Sequence, residues 1–428
     1  MQLKIVKSDI IELISAEAKI IFAIFGANIR LVGGGVRNLL IKKEVSDFDF
    51  ATILTPFEII KILKKNNITA IDKAIKYGTV IAVINNKNIE ITTLRIDKNH
   101  QGRACNVDFV DNYEVDASRR DFTINALYLD EQGLIYDYFN GIDDLKKSQV
   151  KFIGDANARI KEDYLRILRF FRFTINYSQT IDNIGLDACI INKKSLNILA
   201  KERIRKEFYL LLESKNLVQL ISILKILNES QIAIELFQKN FDYLSLESFF
   251  TLLKNSQIIE NLNFKLALIL IPNIRLNQEY QLDFIENICA SNYEKKYFSD
   301  LIKIAKIISE DQIFDLLSEK NYQDLNILFV KIKELLFSFE SSVLADGFLF
   351  LILKNNLEFD KFLAIKKFLN DFILPKFPLN GNDLIAINIT GEKIGIALNI
   401  AKKYWLENNF ECEKSQLLNY LNNFKFNK

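Results

Sequence analysis

The chain has 428 residues, 49% of them hydrophobic and 26% charged, which fits a folded protein of two or more domains and excludes a disordered one. The formal charge is +2, with a balance of +3 over residues 1–200 and −1 over residues 201–428. Any nucleic-acid contact must therefore come from local basic patches, not from an overall field.

No run of about eighteen uncharged apolar residues occurs, and no signal-peptide pattern opens the chain, so no membrane association is expected. Cys105, Cys189, Cys289 and Cys412 lie far apart and form neither a zinc pattern nor a disulfide framework. The expectation is reduced thiols in a cytoplasmic protein. Ten of the fourteen glycines fall by Gly185, and none lies between residues 186 and 346. An alternation of strands and helices thus gives way to helix upon helix.

In chain order, residues 9–27 read as one amphipathic helix, with Asp9 and Glu12 in capping-box spacing. Ile29 to Val32 is a short apolar strand. Gly33, Gly34 and Gly35 follow, and the chain resumes as a helix from Val36 to Ile41. Such a turn lets backbone N–H groups approach a phosphate, and Arg37 adds a cation beside it. Asp47 and Asp49 then alternate with Phe48 and Phe50. In a strand this puts both carboxylates on one face and both rings on the other. Paired carboxylates next to a phosphate seat suit magnesium, which takes oxygen ligands and substrate phosphates.

Thr55, Pro56 and Glu58 open a second helix with a capping box. Residues 78–84 and 89–94 read as a hairpin joined across residues 85–88, giving a small mixed sheet. Glu90, in the second of these strands, is either a third carboxylate near the metals or an ion-paired strand glutamate. Residues 95–116 are polar, include Gly102 and the only histidine, His100, and read as a mobile loop. One histidine cannot build a metal-dependent phosphohydrolase domain.

Next comes Asp116-Ala-Ser-Arg-Arg-Asp-Phe-Thr-Ile-Asn-Ala-Leu127. Here Arg120 offers a second phosphate fork, and Asp121 and Asn125 can brace the first domain. Residues 136–145 close that domain. From Asp155 a helix is expected whose core runs from Arg159 to Arg172. On it Asp163 and Arg166 are neighbours on one face, Arg169 and Arg172 extend a cationic stripe, and Leu165, Leu168 and Phe171 form an apolar one. Taken singly, each of these features also has an ordinary structural reading.

Together they resemble one family. The segment from Gly33 to Asn38, followed ten residues after Arg37 by Asp47-Phe48-Asp49, resembles the signature of polymerase β-type nucleotidyltransferases. More narrowly it is similar to their class II tRNA nucleotidyltransferase and bacterial poly(A) polymerase branch. Arg119-Arg120-Asp121-Phe122-Thr123 resembles that branch's second signature. Glu162-Asp163-Tyr164-Leu165-Arg166 resembles its nucleotide-recognising helix, and residues 201–207 its next, bracing element, in which Glu202 and Arg203 read as structural. Residues 379–395 resemble its C-terminal segment more loosely, with Thr390-Gly-Glu-Lys in place of the usual proline region.

The resemblance implies an α+β catalytic head over residues 1–150, a helical neck over 151–215, and an all-α body and tail over 216–428 that binds tRNA. It implies addition of C, C and A to the tRNA 3′ end from CTP and ATP, with Mg2+ held by Asp47 and Asp49. Glu90 would assist the attacking hydroxyl. Gly33, Gly34, Arg37 and Arg120 would bind phosphate, Asp163 and Arg166 would read the base, and Arg169 and Arg172 would support that reading or reach the triphosphate at the nucleotide site. A monomer or homodimer is implied. Poly(A) polymerase, a CC-only or A-only enzyme, and a non-catalytic RNA-binding protein are the alternatives. Against poly(A) synthesis stand the −1 balance of residues 201–428 and the short tail after Gly395.

Overall fold

The computed structural model describes residues 4–7, 9–45, 47–101, 104–253, 261–271, 289–310, 312–318 and 325–424. The chain forms two compact units, Met1–Phe241 and Asp242–Lys428. The first carries the sheet and the site.

Its strands are β1 (Lys4–Lys7), β2 (Ile29–Val32), β3 (Asp49–Thr52), β4 (Thr69–Ile71), β5 (Thr79–Ile84), β6 (Lys87–Thr93), β7 (Arg95–Gln101), β8 (Ala104–Phe109), β9 (Leu127–Leu129) and β10 (Leu134–Asp137). Eight of them make one mixed sheet in the order β1-β10-β9-β2-β3-β6-β5-β4, in which β3 and β6 run parallel. Helices α1 (Ala16–Phe25), α2 (Gly34–Leu40) and α3 (Pro56–Lys65) supply one side of its core. There Ile21, Leu31, Val36, Ile59 and Ile91 are fully buried, and Phe22 meets Phe50 edge-on at 5.1 Å.

Local chemistry explains most boundaries. Thr55 and Glu58 form the expected capping box at α3, with Pro56 in its first turn. The β5–β6 hairpin turns on Asn85 and Asn86, both at positive φ. The loop is thus two residues long, not four, because asparagine tolerates the left-handed conformation that such turns demand.

Three expectations need correction. The single helix over residues 9–27 is two elements, a 3-10 turn at Asp9–Leu13 and then α1. Ser15, not Asp9, caps α1 by accepting from Ala18 N at 3.2 Å. Residues 95–116 are not a loop: β7 and β8 pair as an antiparallel ribbon, with Arg95 opposite Phe109, and α4 (Tyr113–Ser118) follows. Polar composition hid the ribbon, because strand pairing satisfies backbone groups whatever the side chains are. Gly102 and the side chain of His100 lie outside the described residues.

Finally, the long helix from Asp155 is broken. After α5 (Gly141–Lys146), α6 (Ala156–Glu162) ends at Asp163, which is extended at φ −153°. A new helix, α7 (Arg166–Tyr177), begins beyond it. The Asp163 side chain accepts from Leu165 N at 3.1 Å, a local bond that holds the chain in the turn between the two helices. Leu168 and Phe171 are fully buried on α7, as the apolar stripe implied. Two more helices, α8 (Asn183–Asn192) and α9 (Lys201–Leu212), complete the region nearest the site.

The described part of the second unit is helical, including Asn292–Glu310, Ser341–Lys354, Lys393–Glu407 and Lys414–Asn423. Gly347 lets two of these helices meet, since a Cβ there would collide with Ile304. Asn380 caps a short helix at Gly381–Ile385, and Trp405 sits in an apolar cluster with Leu384, Ala397 and Leu417. Among the described residues no helix is long and apolar enough to cross a membrane.

Candidate active site

Strand β2 leads into Gly33, whose φ of +72° a Cβ would oppose. The same missing Cβ makes room for Arg120, whose Nη1 would stand 3.3 Å from it. The glycine turn is therefore required by backbone conformation and by close approach together.

Beside it, β3 begins at Asp49, and the parallel register sets Asp49 next to Glu90 on β6. Asp47, Asp49 and Glu90 are exposed, Phe50 is buried and Phe48 half-buried; the expected alternation holds from Asp49, whereas Asp47 and Phe48 precede the strand. Asp49 opens onto solvent at the floor of a concave surface whose walls still shield it from water. This desolvation, with Glu90 and then Asp47 adding repulsion and Arg120 opposing it, pushes its carboxyl up to about 6. Carboxylates brought together in this way suit a divalent cation that substrate oxygens complete. Among the described residues no three side chains form a closed metal cage. An open seat of carboxylates completed by substrate phosphates is how magnesium is commonly held.

Next to Asp49 lies a cavity of about 440 Å³, a size that suits a small-molecule ligand. Its wall includes Gly33, Gly34, Asn125, Leu165 and Phe173, three aspartates (Asp49, Asp121, Asp163) and six arginines (Arg37, Arg119, Arg120, Arg166, Arg169, Arg203). That excess of guanidinium suits a polyanion.

Each arginine is held by its own partners. Arg37, 6% exposed, donates to Asn38 at 3.1 Å, to Tyr177 at 2.8 Å and to Asn125. It thereby ties the glycine turn to the end of α7. Arg120 pairs with Asp116 at 3.1 Å, and Arg169 with Asp121 at 2.6 Å. Asp121 also accepts from Asn125 at 2.9 Å, so the bracing expected of those two residues is present.

The recognition segment departs from its expected pairing. The side chains of Asp163 and Arg166 take other partners, although Arg166 N donates to the Asp163 carbonyl at 3.0 Å. Asp163 takes Arg203 at 2.7 Å. Arg166 takes Glu162 at 2.8 Å and donates to the carbonyls of Arg159 and Arg119 at 2.8 and 3.0 Å. Both still face the cavity.

Arg172, expected at the nucleotide, is not among the residues lining the cavity; it pairs with Glu207 on α9. Glu207 is 5% exposed, so Arg172→Ala strands a buried charge. A stability loss of about 3 kcal/mol is expected, read by urea unfolding. Arg119, a wall residue given no role of its own from sequence, had a signal in its place beside Arg120. Arg203, read as structural in the bracing element, stands in the wall and holds Asp163 from 40 residues away.

The sheet, the carboxylate pair and the arginine-lined cavity define a nucleotidyltransferase, and residues 29–151 match the Poly A polymerase head domain family. Among similar proteins, CCA tRNA nucleotidyltransferase 1, mitochondrial, of Homo sapiens is 32% identical over 419 residues, covering 92% of this chain and 86% of its own. The CCA-adding enzyme of Oceanobacillus iheyensis is 41% identical over 192 residues, covering 44% of this chain and 47% of its own. The fold is similar to that of the Bacillus stearothermophilus CCA-adding enzyme in complex with CTP, with TM-score 0.71, 21% identity and 97% of both chains covered. It is also similar to the Thermotoga maritima CCA-adding enzyme complexed with tRNA, with TM-score 0.66, 20% identity, and 98% of this chain and 99% of that one covered. The chain belongs to the CCA tRNA nucleotidyltransferase family.

Proposed function

We propose that this protein adds C, C and A to the 3′ end of tRNA from CTP and ATP, without a template and with release of pyrophosphate. The observation that carries this reading is the arginine-lined cavity with Asp49 in its wall and Glu90 beside Asp49 on the neighbouring strand. The three proposed regions are the head over 1–150, the neck over 151–215, and the tRNA-binding body and tail over 216–428.

Asp47 and Asp49 would hold divalent cations, Mg2+ by preference for an all-oxygen seat. When bound, such ions would acidify the RNA 3′-hydroxyl and neutralise charge on the triphosphate. Glu90 would orient that hydroxyl from the neighbouring strand. Gly33 and Gly34 would let the phosphates approach the backbone, and Arg37, Arg120 and Arg169 would meet their charge.

Asp163 and Arg166 would read the base. Cytosine and adenine each present an amine donor beside a ring-nitrogen acceptor, which a carboxylate and a guanidinium complement. Asp163 uses one oxygen on Leu165 N and the other on Arg203, and a carboxylate has acceptor capacity left after two such bonds. Arg172 would act from behind through α9. The compartment in this proposal is the cytoplasm.

The test supplies purified protein and tRNA lacking its CCA end with labelled CTP, ATP, UTP and GTP, singly and together. Addition that stops at CCA supports the reading. Long adenylate tails from ATP would favour poly(A) synthesis, and no incorporation would leave a non-catalytic RNA-binding protein.

A further inference from the structure

Asp116 lies outside the cavity wall, yet it touches two residues of that wall. It is 1% exposed, and an aspartate is almost never so buried unless paired. One of its oxygens receives Arg119, with Nε at 2.9 Å and Nη2 at 2.7 Å, and the backbone N of Arg95 at 3.4 Å. The other receives Arg120 Nη2 at 3.1 Å and the Tyr128 hydroxyl at 2.7 Å. Both oxygens are occupied, so Asp116 has nothing to offer a ligand directly. Burial works against its charge, but Arg120 and Arg119, helped by the Tyr128 hydroxyl, hold its carboxyl down at about 2.

Arg119 and Arg120 are consecutive where α4 ends. Asp116 stands three residues before Arg119 and four before Arg120, the spacings at which side chains on a helix meet. One carboxylate therefore holds both guanidiniums, and both residues line the cavity. Tyr128 strengthens the arrangement by also accepting from Arg120 Nε at 3.2 Å, and Arg120 in turn lies over Gly33.

We propose that Asp116 is the positioning residue for the triphosphate, one buried carboxylate that turns Arg119 and Arg120 together toward the phosphates. The proposal rests on the nucleotidyl-transfer reading above. It assigns Asp116 to polyphosphate affinity, not to base choice, and makes Tyr128 its auxiliary.

The test measures binding of inorganic pyrophosphate and of cytidine to the full-length protein, by calorimetry and by competition, beside KM and kcat for CTP. Asp116→Asn keeps the shape and removes the charge that both guanidiniums share. It should weaken pyrophosphate at least tenfold and raise the CTP KM comparably. Cytidine and tRNA affinities should stay within twofold and kcat within threefold. Tyr128→Phe leaves both ion pairs in place and should weaken pyrophosphate about threefold with cytidine unchanged; it also serves if Asp116→Asn does not fold. If pyrophosphate and cytidine weaken together, or neither weakens, in the folded variants, Asp116 is only structural and the proposal is overturned. A wild-type protein that binds no pyrophosphate overturns the nucleotidyl-transfer reading itself.

Discussion

Asp49→Ala should slow nucleotide addition roughly a thousandfold, a loss of about 4 kcal/mol of transition-state stabilisation, while tRNA affinity stays within a factor of about two. The residue is exposed at the start of β3, so its removal leaves no cavity in the core. Single-turnover addition on tRNA lacking CCA, with filter binding of the same tRNA, separates the two effects. Near-normal addition by the variant would show that the metals sit elsewhere.

The same carboxyl gives an effect of opposite sign on stability. Its value rises from 3.8 in the unfolded chain to about 6 in the fold, through desolvation and the charge of Glu90. An acid that binds its proton more tightly when folded makes stability fall as pH rises between those values. The cost is absent below 3.8 and complete above about 6. Metal-free Asp49→Asn should therefore melt at a higher temperature than the parent at pH 7 and at the same temperature at pH 3.5. An equal shift at both pH values would contradict the electrostatic origin.

Asp163→Ala should erode the choice of C and A over U and G. Uracil and guanine present a carbonyl and an N–H where cytosine and adenine present an amine and a bare nitrogen. The wrong base would therefore set its carbonyl against the Asp163 carboxylate and its N–H against the Arg166 guanidinium. Mismatched polar contacts of this kind account for rejection by about 10⁴ without editing. Loss of the carboxylate should reduce that discrimination to about 10², with Arg203 released from its partner as well. Competition between CTP and UTP on tRNA that ends before the first added C reads the ratio. Unchanged strict selection would place base reading on other residues.

How much of this was legible in the sequence follows from the range of each interaction. The glycine turn, the alternation from Asp47 to Phe50, the capping box at Thr55 and the Asn85 turn are all local. Backbone conformation and neighbours within four residues decide them, and the sequence states those directly. The change from an α+β part to an all-helical one was legible for the same reason, in where glycine stops.

The helix break at Asp163 was not legible, although its cause is local, because helical periodicity runs through it without a glycine or proline. The β7–β8 ribbon was hidden by its polar composition.

Contacts between distant segments were decided by tertiary structure alone. The sequence offered Asp163 and Arg166 as a pair, and the fold gives Asp163 a distant partner, Arg203, while Arg166 takes its local neighbour Glu162. Arg37 looked like a free phosphate cation, and the fold ties it to Tyr177, 140 residues away. The register of β3 against β6 put Glu90 beside Asp49, where spacing had left its place open. A charged side chain reaches several ångströms in any direction, so the chain's path through space, not its order, decides which opposite charge it finds.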